Sequence, residues 1–172
     1  MTAAFRIERT RNRHSRAVLQ HETIVIRLAR NLSVREEKSH IESLVRRMMT
    51  LLERDRRRIP IDPFFTVDEE QKISVTRLVH QLNAATLNVP IRRIRLRPMR
   101  SQWGSCSSHG DITLNTALLK LSAHLLEYVI LHELTHRKVS NHSRAFWNLL
   151  ESACPRARET RRELLQYRFT KQ

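Results

Sequence analysis

Three residues with a clear chemical potential, His132, Glu133 and His136, form an H-E-x-x-H pattern. On a helix, side chains four residues apart lie on one face, so His132 and His136 can bind the same metal ion. Glu133 lies beside that face, where its carboxylate can take a proton from a water that the metal polarises. The pattern therefore predicts a catalytic metal site with Glu133 as its acid and base.

A third metal ligand is expected downstream of the motif. His142 follows His136 at a zincin-like spacing and would complete a site of three protein ligands and one water. A metzincin has the same spacing, but the glycine that this class needs is Val139 here, and no methionine follows the motif. In the gluzincin arrangement the third ligand is a glutamate on a later helix. Three glutamates stay open as alternatives to His142: Glu151, Glu159 and Glu163.

The motif lies in a segment that predicts a buried helix. Ser122 is a suitable N-cap, and apolar side chains leave hardly any polar face on the segment that follows. These side chains belong to Leu125, Leu126, Val129, Ile130, Leu131 and Leu134. Histidines and a glutamate in a buried helix need partners, which a metal ion would supply. A pair of hydrogen-bonded core histidines is the alternative.

The elements that must position this helix are short strands and amphipathic helices. Alternating residues predict the strands, the first three as a meander. They span Phe5–Thr10, Ala17–His21, Ile24–Leu28 and Ile91–Met99. Capping boxes that start at Ser33 and Thr66 open two helices, the second with Ile73 on its inner face. The chain's two glycines, Gly104 and Gly110, lie close together and suggest tight backbone geometry there.

Four sequence blocks follow one another in a definite order: Trp103–Ser107, Gly110–Asn115, His132–His136 and Asn141–Trp147. In order and spacing they resemble the YgjP-like metallopeptidase domain, a family related to the SprT-like and WLM zinc peptidases. The likeness extends over most of the chain and is strongest between residues 94 and 147.

The resemblance implies a zincin-like α+β fold, with a small antiparallel sheet packed on the buried motif helix and on further helices. It implies that His132, His136 and His142 bind zinc. It also implies that Glu133 is the catalytic acid and base. A single site of this kind predicts one Zn²⁺ per chain. By the same resemblance, the second strand of a hairpin around Gly110 would lie above the metal and pair with an extended substrate.

The chain length of 172 residues predicts one domain with a sizeable core. We expect residues 1–172 to form a single metallopeptidase-like domain. Its N-terminal strands and helix would lie within 1–60, and the zincin core with the C-terminal helices within 64–172. The Pro-containing link between these parts is the only candidate boundary, and it is too short to separate two domains.

The net charge of +15 comes almost entirely from arginine. The segments 91–100 and 137–172 are strongly basic, whereas 101–136, which includes the motif, carries a small negative charge. Arg93, Arg95 and Arg97 alternate along a predicted strand and could contact phosphate or nucleic acid. The alternative is that they form the solvated face of a sheet.

The compartment is predicted to be the cytoplasm. No apolar run reaches membrane-spanning length, which argues against a membrane partner, and the N-terminus lacks the hydrophobic stretch of a secretory signal. Two cysteines in such a chain suggest reduced thiols. The sequence gives no indication of the oligomeric state.

Taken together, these patterns predict a zinc metallopeptidase that hydrolyses peptide bonds through a metal-activated water. Tyr128 and Arg144 are weaker candidates for stabilising the transition state. Two other functions stay open. One is a metal-dependent hydrolase of a nucleotide or another phosphate-bearing substrate, and the other is a nucleic-acid-binding module with DNA-linked peptidase activity.

Overall fold

The computed structural model describes residues 4–20 and 23–170. The chain divides into two compact units, Met1–Arg57 and Arg58–Gln172. This division falls immediately before the Pro-containing link. That the whole chain forms a single domain stays a prediction. His21, the last residue of the second predicted strand, lies outside the described residues.

The first unit contains a three-stranded sheet and one helix. Its elements are β1 (Phe5–Arg9), β2 (Arg16–Gln20), β3 (Thr23–Leu28) and α1 (Val34–Arg56). The strand order is β1-β3-β2, with β3 parallel to β1 and antiparallel to β2. The predicted meander is therefore wrong. The apolar strand β3 is almost wholly buried and takes the centre, and the more polar β1 and β2 take the edges.

Helix α1 begins as the sequence predicts. The Ser33 hydroxyl accepts from the Glu36 amide, and the Glu36 carboxylate accepts from the Ser33 amide, which completes the capping box. Apolar residues of the helix pack against Ile24, Ile26 and Leu28 of β3. These residues are Ile41, Leu44, Val45, Met48 and Leu52.

The second unit contains five strands, four α-helices and a 3-10 helix among its described residues. The strands are β4 (Ile59–Ile61), β5 (Arg93–Arg97), β6 (Gly104–Cys106), β7 (Asp111–Asn115) and β8 (Tyr167–Phe169). The helices are α2 (Glu69–Ala85), α3 (Ala123–Thr135), α4 (Arg144–Ala153) and α5 (Ala157–Leu164), with the 3-10 helix at Thr116–Lys120. This mixture confirms the α+β class.

The sheet beside the motif helix has the order β5-β7-β6. Its hairpin β6–β7 is antiparallel as predicted, but β5 and β7 are parallel, so the expectation of a purely antiparallel sheet is wrong. The reason is the segment 98–103, which brings the chain to the far side of β7 before β6 begins. The Asn115 side chain holds this segment, because its Nδ2 donates to the carbonyl oxygens of Met99 and Gln102, each at 2.8 Å.

Helix α3, which carries the motif, lies in the core of the second unit. Most of its residues are buried, and its neighbours are α2, α4, α5, β6, β7 and the 3-10 helix. Ser122 is the N-cap residue, although its side chain makes no capping hydrogen bond. Strands β4 and β8 pair in parallel and form a separate two-stranded sheet. None of the described helices combines the length and apolar character needed to cross a membrane.

Candidate metal centre

The three histidines of the predicted site lie together. His132 is on α3, His136 is the C-cap residue of that helix, and His142 lies just before α4. One donor nitrogen from each lies within 4.8 Å of the other two. The Nε2 atoms of His132 and His142 are 3.0 Å apart. This is a cluster of three imidazoles around one point.

The pKa values of His132 and His136 are lowered, which favours the neutral imidazole that binds a metal. Burial, with smaller effects from the two neighbouring histidines, lowers the pKa of His132 to about 3. Burial also lowers the pKa of His136. His136 Nδ1 lies 3.1 Å from the Val139 carbonyl oxygen. Because a carbonyl can only accept, Nδ1 carries the proton in this contact, and Nε2 is left with a free lone pair.

The arrangement fits a metal ion, because three imidazole nitrogens converge within 4.8 Å of one another, one more than a hydrogen-bonded pair needs. Zinc–nitrogen distances of 2.0–2.1 Å in a tetrahedral site place two ligand nitrogens about 3.3 Å apart, close to the 3.0 Å between the Nε2 atoms of His132 and His142. His132 Nδ1 is buried without a hydrogen-bond partner. Hydrogen bonds alone therefore do not account for the buried His132 ring.

One buried ring, that of Phe146 on α4, supports all three imidazoles. Its centroid lies 4.9 Å from that of His132 and 4.7 Å from those of His136 and His142. Phe146 is fully buried. The sequence places this residue in a helix without showing that it forms the apolar wall of the site.

Glu133, which follows His132 on α3, is a buried carboxyl group. The residue is 6% exposed, and burial raises its pKa to about 7. A carboxyl with this pKa can accept a proton near neutral pH and release it again. Its position on α3 also turns it towards β6, where it lies against Gly104.

The three alternative ligands are engaged elsewhere. Glu151 pairs with Arg158, Glu159 with Arg156, and Glu163 with His124. None of these glutamates belongs to the metal-ligand group found among the described residues. The geometry thus favours His142 as the third ligand.

The weaker candidates fall in different places. Tyr128 is buried one turn before His132, 5.9 Å away between ring centroids, and burial raises its pKa to about 12. Arg144 is exposed in the first turn of α4. A role for either residue in catalysis stays a prediction.

The arginines of β5 form an exposed row. Arg93, Arg95 and Arg97 are exposed, while Ile94 and Leu96 pack against the core, as the alternation predicts. They lie on the strand at the opposite edge of the sheet from β6. Whether they contact phosphate stays a prediction.

The edge strand that lies against Glu133, and so can receive an extended substrate near that carboxyl group, is β6. The expectation that the second hairpin strand does so is wrong, because that strand, β7, is bonded to β5 on one side and to β6 on the other. Among the described residues, β6 pairs with β7 alone and has an open edge. A peptide can add to such an edge through main-chain hydrogen bonds.

Arg137 braces this strand and has no recognisable signal in the sequence. Its Nε donates to the Pro90 carbonyl oxygen at 3.2 Å. Its Nη1 donates to the carbonyl oxygens of Ser107 at 3.3 Å and Ser108 at 2.7 Å. One side chain thereby ties the end of the motif helix to the β6–β7 turn.

A buried helical carboxyl beside three clustered imidazoles is the side-chain set of a metal-dependent hydrolase. Residues 66–167, more than half of the chain, match the family described as "YgjP-like, metallopeptidase domain". The chain belongs to this family and is a metallopeptidase. Its substrate class is therefore peptide or protein, and the family does not favour the two alternative functions.

Two solved structures are similar to part of the chain. The metallopeptidase zymogen of Pyrococcus abyssi abylysin is 30% identical, with 56% of this chain and 99% of that chain covered and a TM-score of 0.49. The metallopeptidase zymogen of Methanocaldococcus jannaschii jannalysin is 26% identical, with 54% and 94% covered and a TM-score of 0.46. No curated protein matches the chain.

Proposed function

We propose that the chain is a zinc-dependent peptidase in which His132, His136 and His142 hold one Zn²⁺. The observation that carries this proposal is the cluster of their three donor nitrogens within 4.8 Å. Bound zinc would polarise a water and the scissile carbonyl group. Four-coordinate zinc with three protein ligands keeps one position free for this chemistry.

Glu133 is the acid and base of the proposed reaction. It accepts the proton of the attacking water and then delivers that proton to the leaving amine. Without metal, burial raises the pKa of this carboxyl group to about 7. The positive charge of bound zinc would lower that pKa and favour the carboxylate, which is the form that accepts a proton. Burial excludes competing water from the carboxylate and strengthens its hydrogen bond to the nucleophile.

The open edge of β6 orients the substrate in this proposal. An extended peptide paired with β6 would pass Gly104, which contacts Glu133. Main-chain pairing recognises a peptide independently of its side chains, so side-chain preferences must come from neighbouring loops. Tyr128 and Arg144 stay candidates for holding the oxyanion.

The metal assignment is tested by zinc analysis of purified variants. We expect about one zinc per chain in the wild type. His142→Ala should lose most of this zinc, whereas Glu151→Ala, Glu159→Ala and Glu163→Ala should keep it. Zinc loss in one of the glutamate variants, with zinc retained in His142→Ala, would show that the third ligand is that glutamate.

The role of Glu133 is tested by Glu133→Gln, which keeps the size and removes the base. Zinc should stay bound while kcat on fluorescein-labelled casein falls by roughly 10²- to 10⁴-fold, the usual contribution of a positioned acid and base. Unchanged kcat with full zinc content would overturn the mechanism. Loss of zinc in this variant would instead make Glu133 a ligand.

The proposal places the enzyme in the cytoplasm. Its two cysteines, Cys106 and Cys154, are free thiols, which supports a reducing compartment. Cell fractionation with an antibody against the chain tests this location. Recovery in an exported or membrane fraction would contradict it.

A further inference from the structure

Gly104 lies directly against the side chain of Glu133. A Cβ atom at residue 104 would stand 2.7 Å from Glu133 Oε1, 2.8 Å from its Cγ and 3.0 Å from its Cδ. Cβ atoms essentially never come closer than 3.0 Å to a neighbouring atom. Gly110 needs glycine for its φ of 89°, whereas Gly104 has no positive φ. The contact with Glu133, and not the backbone conformation, therefore requires a glycine at 104.

The strand cannot easily move away from this contact. Gly104 pairs with Leu114 in the hairpin. Just before β6, the Trp103 carbonyl oxygen accepts from the Asn115 amide at 2.8 Å. Just after β6, in the turn to β7, the Ser108 carbonyl oxygen accepts from Arg137 at 2.7 Å. Strand β6 is thus held at both ends and by its pairing with β7, so an added methyl group displaces its neighbour.

The neighbour that can move is the Glu133 side chain. Its backbone lies inside α3, between buried residues, whereas the three obstructing atoms, Cγ, Cδ and Oε1, all belong to the side chain beyond Cβ and move when it rotates. Rotation of that side chain costs little folding free energy compared with moving a paired strand. An alanine at 104 would therefore leave the fold intact and shift the carboxylate.

We propose that Gly104 is a positioning residue for the general base. Because glycine has no side chain, the Glu133 carboxylate can lie in the space that a Cβ atom at residue 104 would need. The inference rests on the proposed function for its catalytic consequence. The backbone of β6 would then position both the substrate, through main-chain pairing, and the Glu133 carboxylate, through its contact with Gly104.

The structural part is tested with the crystal structure of the full-chain Gly104→Ala variant. With the carboxylate in its present position, the added Cβ atom would stand 2.7 Å from Glu133 Oε1. In the variant this distance should be an ordinary contact of 3.4 Å or more, which requires Oε1 to shift by at least about 0.7 Å. The β6 backbone should stay in place. A shifted strand with an unmoved carboxylate would overturn the inference.

Thermal unfolding gives a second measurement that needs neither zinc nor substrate. In a Glu133→Ala background, where the obstructing atoms are gone, Gly104→Ala should raise Tm by about 1–4 °C, because alanine restricts the unfolded chain. With Glu133 present, this gain should disappear or reverse. The same Tm change in both backgrounds would overturn the inference.

Catalysis is compared with a matched control. Ser152→Thr adds the same single carbon at an exposed position of α4. Gly104→Ala should keep its zinc and its KM while kcat falls by roughly 10- to 100-fold, as expected when a reacting group is misplaced by about 1 Å. Ser152→Thr should keep kcat within about twofold.

The outcomes separate this inference from the proposed function. If Glu133→Gln is inactive and Gly104→Ala keeps full kcat, the inference alone fails. If Glu133→Gln keeps full kcat, the proposed function fails, and the inference fails with it. Zinc loss in Gly104→Ala would show that the glycine acts on the metal ligands, which also overturns the inference.

Discussion

Replacing Glu133 by glutamine should change the pH dependence of folding in the metal-free protein. The Glu133 carboxyl has an ordinary pKa of 4.5, which burial raises to about 7. Below pH 4.5 the group is protonated in both the folded and the unfolded chain, so burial of its charge costs nothing. Above pH 7 it is ionised in both states, and the folded state bears the full cost of a buried carboxylate.

The size of this cost follows from the two pKa values. Each pH unit between them corresponds to about 1.4 kcal/mol, so the window from 4.5 to about 7 gives about 3 kcal/mol in total. The folded wild type binds more protons than the unfolded chain in this window, and its stability therefore falls as the pH rises. Glutamine cannot ionise, so the variant lacks this loss.

Urea unfolding of EDTA-treated wild type and Glu133→Gln, at pH 5 and at pH 8, measures the effect. The free energy of unfolding of Glu133→Gln, minus that of the wild type, should increase by about 2–3 kcal/mol from pH 5 to pH 8. Other titrating groups are common to both proteins and cancel in the difference. A difference that is the same at both pH values, with unchanged m-values, would refute the claim that Glu133 is buried with a raised pKa.

Three further predictions address the surroundings of the site. Phe146→Ala should lower the free energy of unfolding, measured with urea, by about 3–5 kcal/mol. It should also weaken zinc binding, measured by chelator competition, and unchanged zinc affinity would exclude Phe146 as a support for the imidazoles. Asn115→Ala should cost about 1–3 kcal/mol in the same unfolding assay, because two carbonyl oxygens lose their donor; a neutral result would mean that water replaces it. Replacing Arg93, Arg95 and Arg97 together by glutamine should reduce the slope of the logarithm of the DNA-binding constant against the logarithm of the salt concentration by up to about three. Fluorescence anisotropy measures this slope. An unchanged slope would mean that the three arginines are a solvated surface and do not contact phosphate.

The sequence predicts the motif helix and the metal site because both depend on local spacing. The four-residue separation of His132 and His136 fixes their common face on any helix. The apolar character of α3 fixes its burial, which the structure confirms. His142 is favoured by spacing alone, and its approach to His132 depends on the turn before α4, whose path no local rule determines.

Sheet order could not be predicted, because it depends on long-range packing. The pattern at 91–99 shows the two faces of β5, and Gly110 shows the hairpin, but neither shows on which side of β7 the strand β5 lies. Helix starts were also ambiguous. The predicted capping box at Thr66 is wrong, since the box forms two residues later between Asp68 and Gln71. Ile73, expected on the inner face of this helix, lies outside the core and is 56% exposed.

The pairing of β4 with β8 has a practical consequence for anyone who expresses this domain. The family match spans 66–167, but β4 lies before it and Phe169 after it. The Phe169 ring packs 4.4 Å from that of Trp103, which immediately precedes Gly104. A fragment trimmed to the matched residues would lose β4 and all but the first residue of β8, and would leave this tryptophan without its aromatic neighbour. Such a fragment would lack the outer support of the strand that faces the catalytic carboxylate.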